Sequence, residues 1–305
     1  MKKWICLGLC LVLTLLGGCA PAKKQECLSV VATIFPYYDF ARQMAGGNAK
    51  VTMLLPPGGE VHGYEPTVKD LAAIKQCDVF LYNGGEGDAW VEKLLANGDL
   101  SSKRILRLMD TVDLLTVGEE HHHKGHHHAV EEADEHIFTT PENALRIAAA
   151  IGEVMEQADP SHKEEYQINR EKLQQQLTQL AQDYEILQSA KKQLVIADRF
   201  PFLYLTTRYN LSYLSAFSGC SSNTEADLKT VYELKTALQK EPTKAVLCTE
   251  FSHKTLANTL ANAVDGKVYV WHSCHNVTKQ EWEDKVTYVE LMTKNLAMLK
   301  EVLAL

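Results

Sequence analysis

Short apolar runs bounded by Gly, Pro, Asn or Asp occur four times early in the chain and four times late. The early ones are residues 30–36 (VVATIFP), 51–56 (VTMLLP), 77–83 (CDVFLYN) and 104–110 (RILRLMD). The late ones are residues 193–197 (QLVIA), 211–217 (LSYLSAF), 245–249 (AVLCT) and 268–271 (VYVW). Runs of this kind read as strands buried on both faces. Helical periodicity separates or follows them at 38–45, 68–76, 227–239, 254–264 and 288–303. Alternating strand and helix implies a parallel sheet covered by helices on both sides. The pattern therefore predicts two four-stranded α/β lobes.

Between the two sets lies a different pattern. After Asp159-Pro160, the residues Tyr166, Leu173, Leu177, Leu180, Tyr184 and Leu187 recur at helical spacing, and the positions between them are mostly Gln, Glu, Lys and Asp. That is one apolar stripe on an otherwise solvated helix. A helix over 161–190 would be about 45 Å long and would form a long, rigid connection between the lobes.

The N-terminus bears on compartment. Lys2 and Lys3 precede the apolar stretch 4–16, and Leu16-Gly17-Gly18-Cys19 closes it with small residues before a cysteine. An apolar run of this length suits a cleaved export signal better than a membrane span. The Leu16-Gly17-Gly18-Cys19 ending resembles the lipobox of bacterial lipoproteins, which implies a lipidated cysteine. The expected organisation is then a signal peptide at 1–18, a lipidated tether at 19–27, an N-terminal α/β lobe at 28–158 with a His-rich loop at 119–128, a linking helix at 159–190 and a C-terminal α/β lobe at 191–305.

Lys and Arg number 31 against 39 Asp and Glu, an acidic balance that argues against a nucleic-acid partner. The body carries Cys27, Cys77, Cys220, Cys248 and Cys274 without a CxxC pair, so a cysteine-based zinc knuckle has no support. Cys220 and Cys274 both follow predicted strands, and export would permit their pairing, which the sequence leaves open.

Ligands of open α/β sheets bind beyond the carboxyl ends of strands. There the chain places Glu60 and His62 (PPGGEVHGYEP), Asp198 and Arg199, Glu250, and the run His272-Ser273-Cys274-His275. Imidazoles and carboxylates from both halves thus gather at one edge, which points to a metal site between the lobes. Each residue alone has a blander reading, as a surface histidine or as a structural ion pair of Asp198 with Arg199 or Arg208. Imidazole-rich sites favour zinc over manganese.

Three passages resemble the zinc- and manganese-binding lipoproteins of ABC importers, the cluster A-I substrate-binding proteins. They are VVATIFPYYDFARQMAG from Val30, VTMLLPPGGEVHGYEPTVKDLAAIKQCDVFLYNG from Val51 and DEHIFTTPENALRIA from Asp134. The resemblance implies two lobes joined by a long helix. It makes His62 a metal ligand, preceded by Val61 where Pro or Ser is more usual. It makes His136 a second ligand, with Glu135 and Phe138 in place of Pro and Trp. In the second lobe the family's GHDAFGYL-like motif reads ADRFPFLYL here, which puts Arg199 where a ligating His stands, and Arg cannot coordinate a cation. The last ligand region corresponds to HSCHN, where His275 lies farther into the loop than His272. The implied ligands are His62, His136 and His275, with Asp198 ahead of Glu60 and Glu250 for the fourth place. Lipidation would fall on Cys19.

Six of the twelve histidines, His121, His122, His123, His126, His127 and His128, lie in the stretch EEHHHKGHHH. Closely spaced imidazoles bind zinc weakly, and the resemblance includes such loops in zinc members, so this loop is expected to gather or sense zinc. The resulting expectation is a monomeric, lipid-anchored extracytoplasmic receptor that hands Zn2+ to the permease of an ABC importer. The chain has no GxxxxGK[ST] motif, so the ATPase would be a separate subunit. The alternatives are a manganese-selective receptor or adhesin of the same family, or a zinc hydrolase using Glu60 or Glu250 as base, for which no HExxH motif is present.

Overall fold

The structure, a computed structural model, describes residues 27–60, 63–98, 100–116, 133–217 and 226–305. Two four-stranded parallel sheets share one topology. In the first, β1 (Leu28–Ala32), β2 (Ala49–Met53), β3 (Val79–Tyr82) and β4 (Arg104–Arg107) lie in the order β2-β1-β3-β4. In the second, β5 (Leu194–Ile196), β6 (Tyr213–Ser215), β7 (Ala245–Cys248) and β8 (Lys267–Val270) lie in the order β6-β5-β7-β8. The central strands β3, β5 and β7 are buried throughout and β1 nearly so, whereas β2, β4, β6 and β8 are at most half-buried. That gradient is why the central strands read as continuous apolar runs.

The first lobe carries α1 (Phe35–Ala45), α2 (Val68–Gln76) and α3 (Ala89–Asn97). The second carries α6 (Leu203–Arg208), α7 (Leu228–Lys240), α8 (Thr255–Val264), α9 (Lys279–Glu283) and α10 (Tyr288–Leu303). Between them run α4 (Pro141–Ala158) and α5 (Lys163–Tyr184). The run read as a strand over 30–36 ends at Ala32, because Phe35 and Pro36 open α1, where proline's missing N–H is no loss. Likewise the run at 104–110 leaves the sheet after Arg107 and turns into a 3-10 helix, Leu108–Thr111.

The connecting helix is shorter than its periodicity implies. α5 has 22 residues, about 33 Å, and the stretch Glu185–Ser189 tightens into a 3-10 helix. Its buried side chains are Tyr166, Leu173, Leu177, Leu180 and Tyr184, with Leu187 following in the 3-10 turn. α4 lies against it closely enough that a Cβ at Gly152 would collide with the Arg170 side chain.

One hydrophobic core passes through both lobes. Val30, Phe40, Ile147 and Leu177 belong to the same cluster as Leu194, Leu247, Trp271, Tyr288 and Leu299. Polar ties reinforce it. The Arg42 guanidinium of α1 donates to the carbonyls of Lys285 (3.0 Å) and Val286 (2.7 Å) and pairs with the fully buried Asp39 at 2.7 Å. Asp39 Oδ2 also accepts the Tyr288 N–H at the start of α10, at 2.8 Å. Among the described residues no helix is long and apolar enough to cross a membrane.

Arg42→Ala strands a buried carboxylate and unties two carbonyls across the lobe boundary. It should lower unfolding free energy by about 2–3 kcal/mol, below the full value for a buried pair because Arg42 is partly solvated. Urea titration of both proteins measures this, and a loss under about 0.5 kcal/mol would show that the tie contributes nothing.

Candidate metal centre

Loops leaving the carboxyl ends of both sheets line a cleft of about 660 Å³. The first lobe supplies Gly59, Glu60 and His136, and the second supplies Asp198, Arg199, Thr249, Glu250, Lys254, Ser273 and His275 among others. His62, the His-rich residues His121 to His128, Cys19 and Cys220 lie outside the described residues. Cys274 is a fully buried thiol, and Cys220, with which the sequence left a pairing open, lies outside the described residues.

His136 and His275 meet in this cleft from opposite lobes. Their ring centres are 5.4 Å apart with the planes at 83°. Zinc bound to imidazole nitrogen at about 2 Å sits about 3.2 Å from a ring centre, so two rings at tetrahedral angles stand about 5.2 Å apart. The observed separation matches that figure. Phe138 lies against both rings, with centroid distances of 6.3 Å to His136 and 5.1 Å to His275, and gives the pair an apolar wall.

His136 is held by its own neighbours. Asp134 Oδ1 accepts the His136 N–H at 2.9 Å and faces Nδ1 at 3.1 Å, and both side chains are buried. A carboxylate on Nδ1 fixes the tautomer that presents Nε2 to a metal. From the second lobe, the Tyr204 hydroxyl donates to the Asp134 carbonyl at 2.9 Å and the Tyr288 hydroxyl to the Phe138 carbonyl at 2.6 Å.

Below this segment is a buried polar platform. Asn83 Nδ2 donates to the Glu135 carbonyl at 2.9 Å, Tyr37 donates to Asn83 Oδ1, and Glu135 Oε2 accepts the Gly87 N–H at 2.9 Å. Gly85, at φ +78°, is needed here because a Cβ would stand 2.7 Å from the Glu135 carboxylate. Asp88 Oδ2 accepts the N–H groups of Asn83 (2.7 Å) and Gly84 (3.2 Å). Burial, reinforced by the Glu135 charge, pushes the Asp88 carboxyl up to about 6 against those donors.

In the second lobe the candidate residues take distinct places. The His275 N–H donates to Ser273 Oγ at 3.2 Å, and Ser273 in turn donates to Glu250 through its hydroxyl (2.6 Å) and its N–H (2.8 Å). Glu250 therefore braces the loop that carries His275. His272 is turned away from the cleft. Its Nδ1 accepts the Cys274 N–H at 2.9 Å, a contact made possible by Cys274 at φ +63°, and its Nε2 lies 3.6 Å from Glu281. Burial opposes protonation of His272, but Glu250, Cys274 and Glu281 outweigh it and hold its pKa well above the usual value. The nearby His272 ring, helped by hydrogen bonds from Thr278, correspondingly draws Glu281 down to about 2.

Asp198 lines the cleft, yet Oδ2 accepts both the N–H (2.9 Å) and hydroxyl (2.6 Å) of Thr249, and Oδ1 accepts the Arg199 N–H at 2.9 Å. Glu60 is mostly exposed and reaches Arg199 across the cleft at 3.5 Å. Among the described residues, no group of three or more His, Cys, Asp and Glu is spaced to hold a metal. The described part brings together an imidazole pair. Sequence reading missed Asp134, Asn83, Asp88, Tyr204 and Ser273. Asp134, two residues before His136, and Ser273, two before His275, stood in positions that local spacing could have flagged.

A family model described as zinc-uptake complex component A, periplasmic, matches residues 30–302. The zinc-binding lipoprotein AdcA of Streptococcus pneumoniae is 30% identical over 306 residues, covering 99% of this chain and 61% of that protein. The chain thus spans about three-fifths of the length of that relative. The high-affinity zinc uptake system protein ZnuA of Bacillus subtilis is 29% identical over 314 residues, covering 99% of this chain and 98% of that protein. The crystal structure of the Zn(II)-bound ZnuA-like domain of Streptococcus pneumoniae AdcA matches with a TM-score of 0.75 and 28% identity, covering 91% of this chain and 99% of that one.

The platform beneath His136 has a pH signature. A carboxyl whose pKa rises from 3.8 unfolded to about 6 folded stabilises most below pH 3.8, and that contribution is lost as pH climbs through 6. The loss for Asp88 is about 2–3 kcal/mol. Asp88→Asn keeps an acceptor for the backbone donors and removes the titration. Urea unfolding of the zinc-free protein between pH 4 and 7 should show a visibly flatter profile for the variant, and parallel profiles would refute the assignment.

Proposed function

The chain belongs to the zinc-uptake complex component A family, and from that premise we propose that it is an extracytoplasmic zinc receptor, anchored through Cys19, that delivers Zn2+ to the permease of an ABC importer powered by a separate ATPase. The observation that carries this reading is the buried pair His136 and His275, one from each lobe, at the separation that a shared tetrahedral zinc requires. The ligand set we propose is His62, His136 and His275, with Asp198 as the protein's own oxygen donor. His62 follows Gly59 and Glu60 in sequence, and both of those line the cleft. His272 and Glu250 then act on the loop that carries His275, and Glu60 stands at the rim. An imidazole-dominated sphere favours zinc over manganese. The residues 119–128 gather zinc at weak additional sites.

The chemistry is binding and release. Asp134 orients His136, Ser273 and Glu250 hold the His275 loop, and Phe138 keeps water from the rear of the imidazole pair. A receptor of this kind performs no bond-breaking step, in keeping with the family's role as a substrate receptor rather than a catalyst.

Chelator competition at pH 7.5 tests the assignment. His136→Ala and His275→Ala should each weaken zinc binding by at least about 100-fold, and Asp134→Asn by about 10-fold through loss of the oriented tautomer. His272→Ala should change it by less than about 10-fold, since that ring faces Glu281. Greater sensitivity at His272 than at His275 would overturn the ligand assignment. Unchanged zinc binding in all four variants would overturn the receptor reading itself.

Deleting residues 119–128 should leave one tight zinc and remove the weak ones. Calorimetric stoichiometry reads the difference, and disappearance of the tight site would make the loop a primary ligand source. The weak sites should empty as pH falls through about 6.5, where protons compete for imidazole nitrogen.

A further inference from the structure

The cleft is far larger than its proposed cargo. A zinc ion with donors about 2 Å away fills a sphere on the order of 30 Å³, against about 660 Å³ here. Volumes of about 300–1,000 Å³ belong to sites that take small molecules. Much of the surplus lies on the second lobe, between the loop after β5 and the loop after β7, and its charged lining is distinctive.

The carboxylates there are already engaged. Asp198 accepts three hydrogen bonds from Thr249 and Arg199 N–H, and Glu250 accepts two from Ser273. The cations are not matched in the same way. Among the described residues, Arg199 has a single ion pair, the 3.5 Å contact to the mostly exposed Glu60, and Lys254 has none. Glu60, Asp198, Glu250, Arg199 and Lys254 all line the cavity, so adding a divalent ion turns a net negative lining positive. An arrangement of this kind invites an anion only after the metal has arrived.

We infer that the cleft binds its metal together with a small polycarboxylate anion, held by Arg199 and Lys254, one carboxylate of which adds to the ion. A guanidinium presents its N–H groups in the fork that carboxylates fit, and an ammonium supplies a second point charge for another carboxylate. Zinc tolerates a fifth donor, so the anion joins the protein ligands rather than replacing them. The receptor would thereby accept zinc together with a carboxylate ligand.

This inference rests on the zinc-receptor reading, and the experiment separates the two. The full chain is first loaded with zinc and its metal content measured; absence of bound zinc at this stage overturns both. Labelled citrate is then added in equilibrium dialysis to the zinc-loaded and zinc-free protein. The zinc-loaded protein should retain citrate one-to-one with its metal, and the zinc-free protein much less. Arg199→Gln and Lys254→Gln, each loaded with zinc to the same measured content, should bind citrate about 10-fold more weakly, the effect of losing one charge-assisted contact. No retention by the zinc-loaded protein, loss of zinc along with the citrate, or equal retention by both variants overturns the co-bound anion and leaves the zinc reading standing.

Discussion

The Phe35 N–H donates to the carbonyl of His275 at 3.2 Å, and this bond sets the terms for everything built at the cleft. It ties the ligand loop of one lobe to the first turn of a helix in the other. Its neighbours do the same. The Gly58 N–H donates to the Val277 carbonyl at 2.8 Å, and Asn276 Nδ2 donates to the carbonyls of Pro56 and Gly59, both at 2.9 Å. The loop that carries His275 is therefore held against the first lobe largely through main-chain atoms. A site preset in this way loses little conformational freedom when an ion arrives, which favours affinity. On the proposed reading it also could not admit or discharge the ion by a wide hinge motion without breaking several of these hydrogen bonds at once.

The consequence for release is specific. Wide hinge closure needs a few residues that absorb the rotation while the lobes stay separate bodies. Here α5 packs against α1 and α4 of the first lobe and α10 of the second, and Tyr184 donates to the Met292 carbonyl at 2.7 Å. Movement is easier in the loops at the rim. Glu60 and Phe251 are exposed, and the Glu60–Arg199 contact is long. On the reading proposed above, the ion would be exchanged by rearrangement of these rim loops over a stationary imidazole pair.

Much of the fold was legible because its determinants are local. Buried central strands must be apolar along their length, and the stripe from Tyr166 to Leu187 must recur at helical spacing. The errors lay at boundaries, where a second signal competed. Phe35-Pro36 continued an apolar run yet suited a helix start, and Leu108 and Met109 were apolar because they pack in the core rather than because they extend β4. At the site, sequence could place residues at the carboxyl edge of the strands but not aim their side chains. His272 and His275 differ by a backbone twist at Cys274 that only the folded loop shows. Two of the hydrogen bonds on Asp198 come from Thr249, which is 51 residues away in sequence, and the support of His136 comes from Asn83 and Tyr204. Long-range satisfaction of polar groups leaves no spacing to read.

The core that passes through both sheets gives the two lobes a common fate. Two bodies with matching strand order could have been modular, each able to fold or be exchanged alone. Here Tyr184 and Tyr288 are buried where the sets of helices meet, and cutting the chain near Asp159 would leave each fragment with half of that surface bare to water. Heating should then melt the molecule in one transition. Drift of the sequence can reshape the rim freely but must change the interior of both lobes in concert, so the partnership between them is inherited as a single unit.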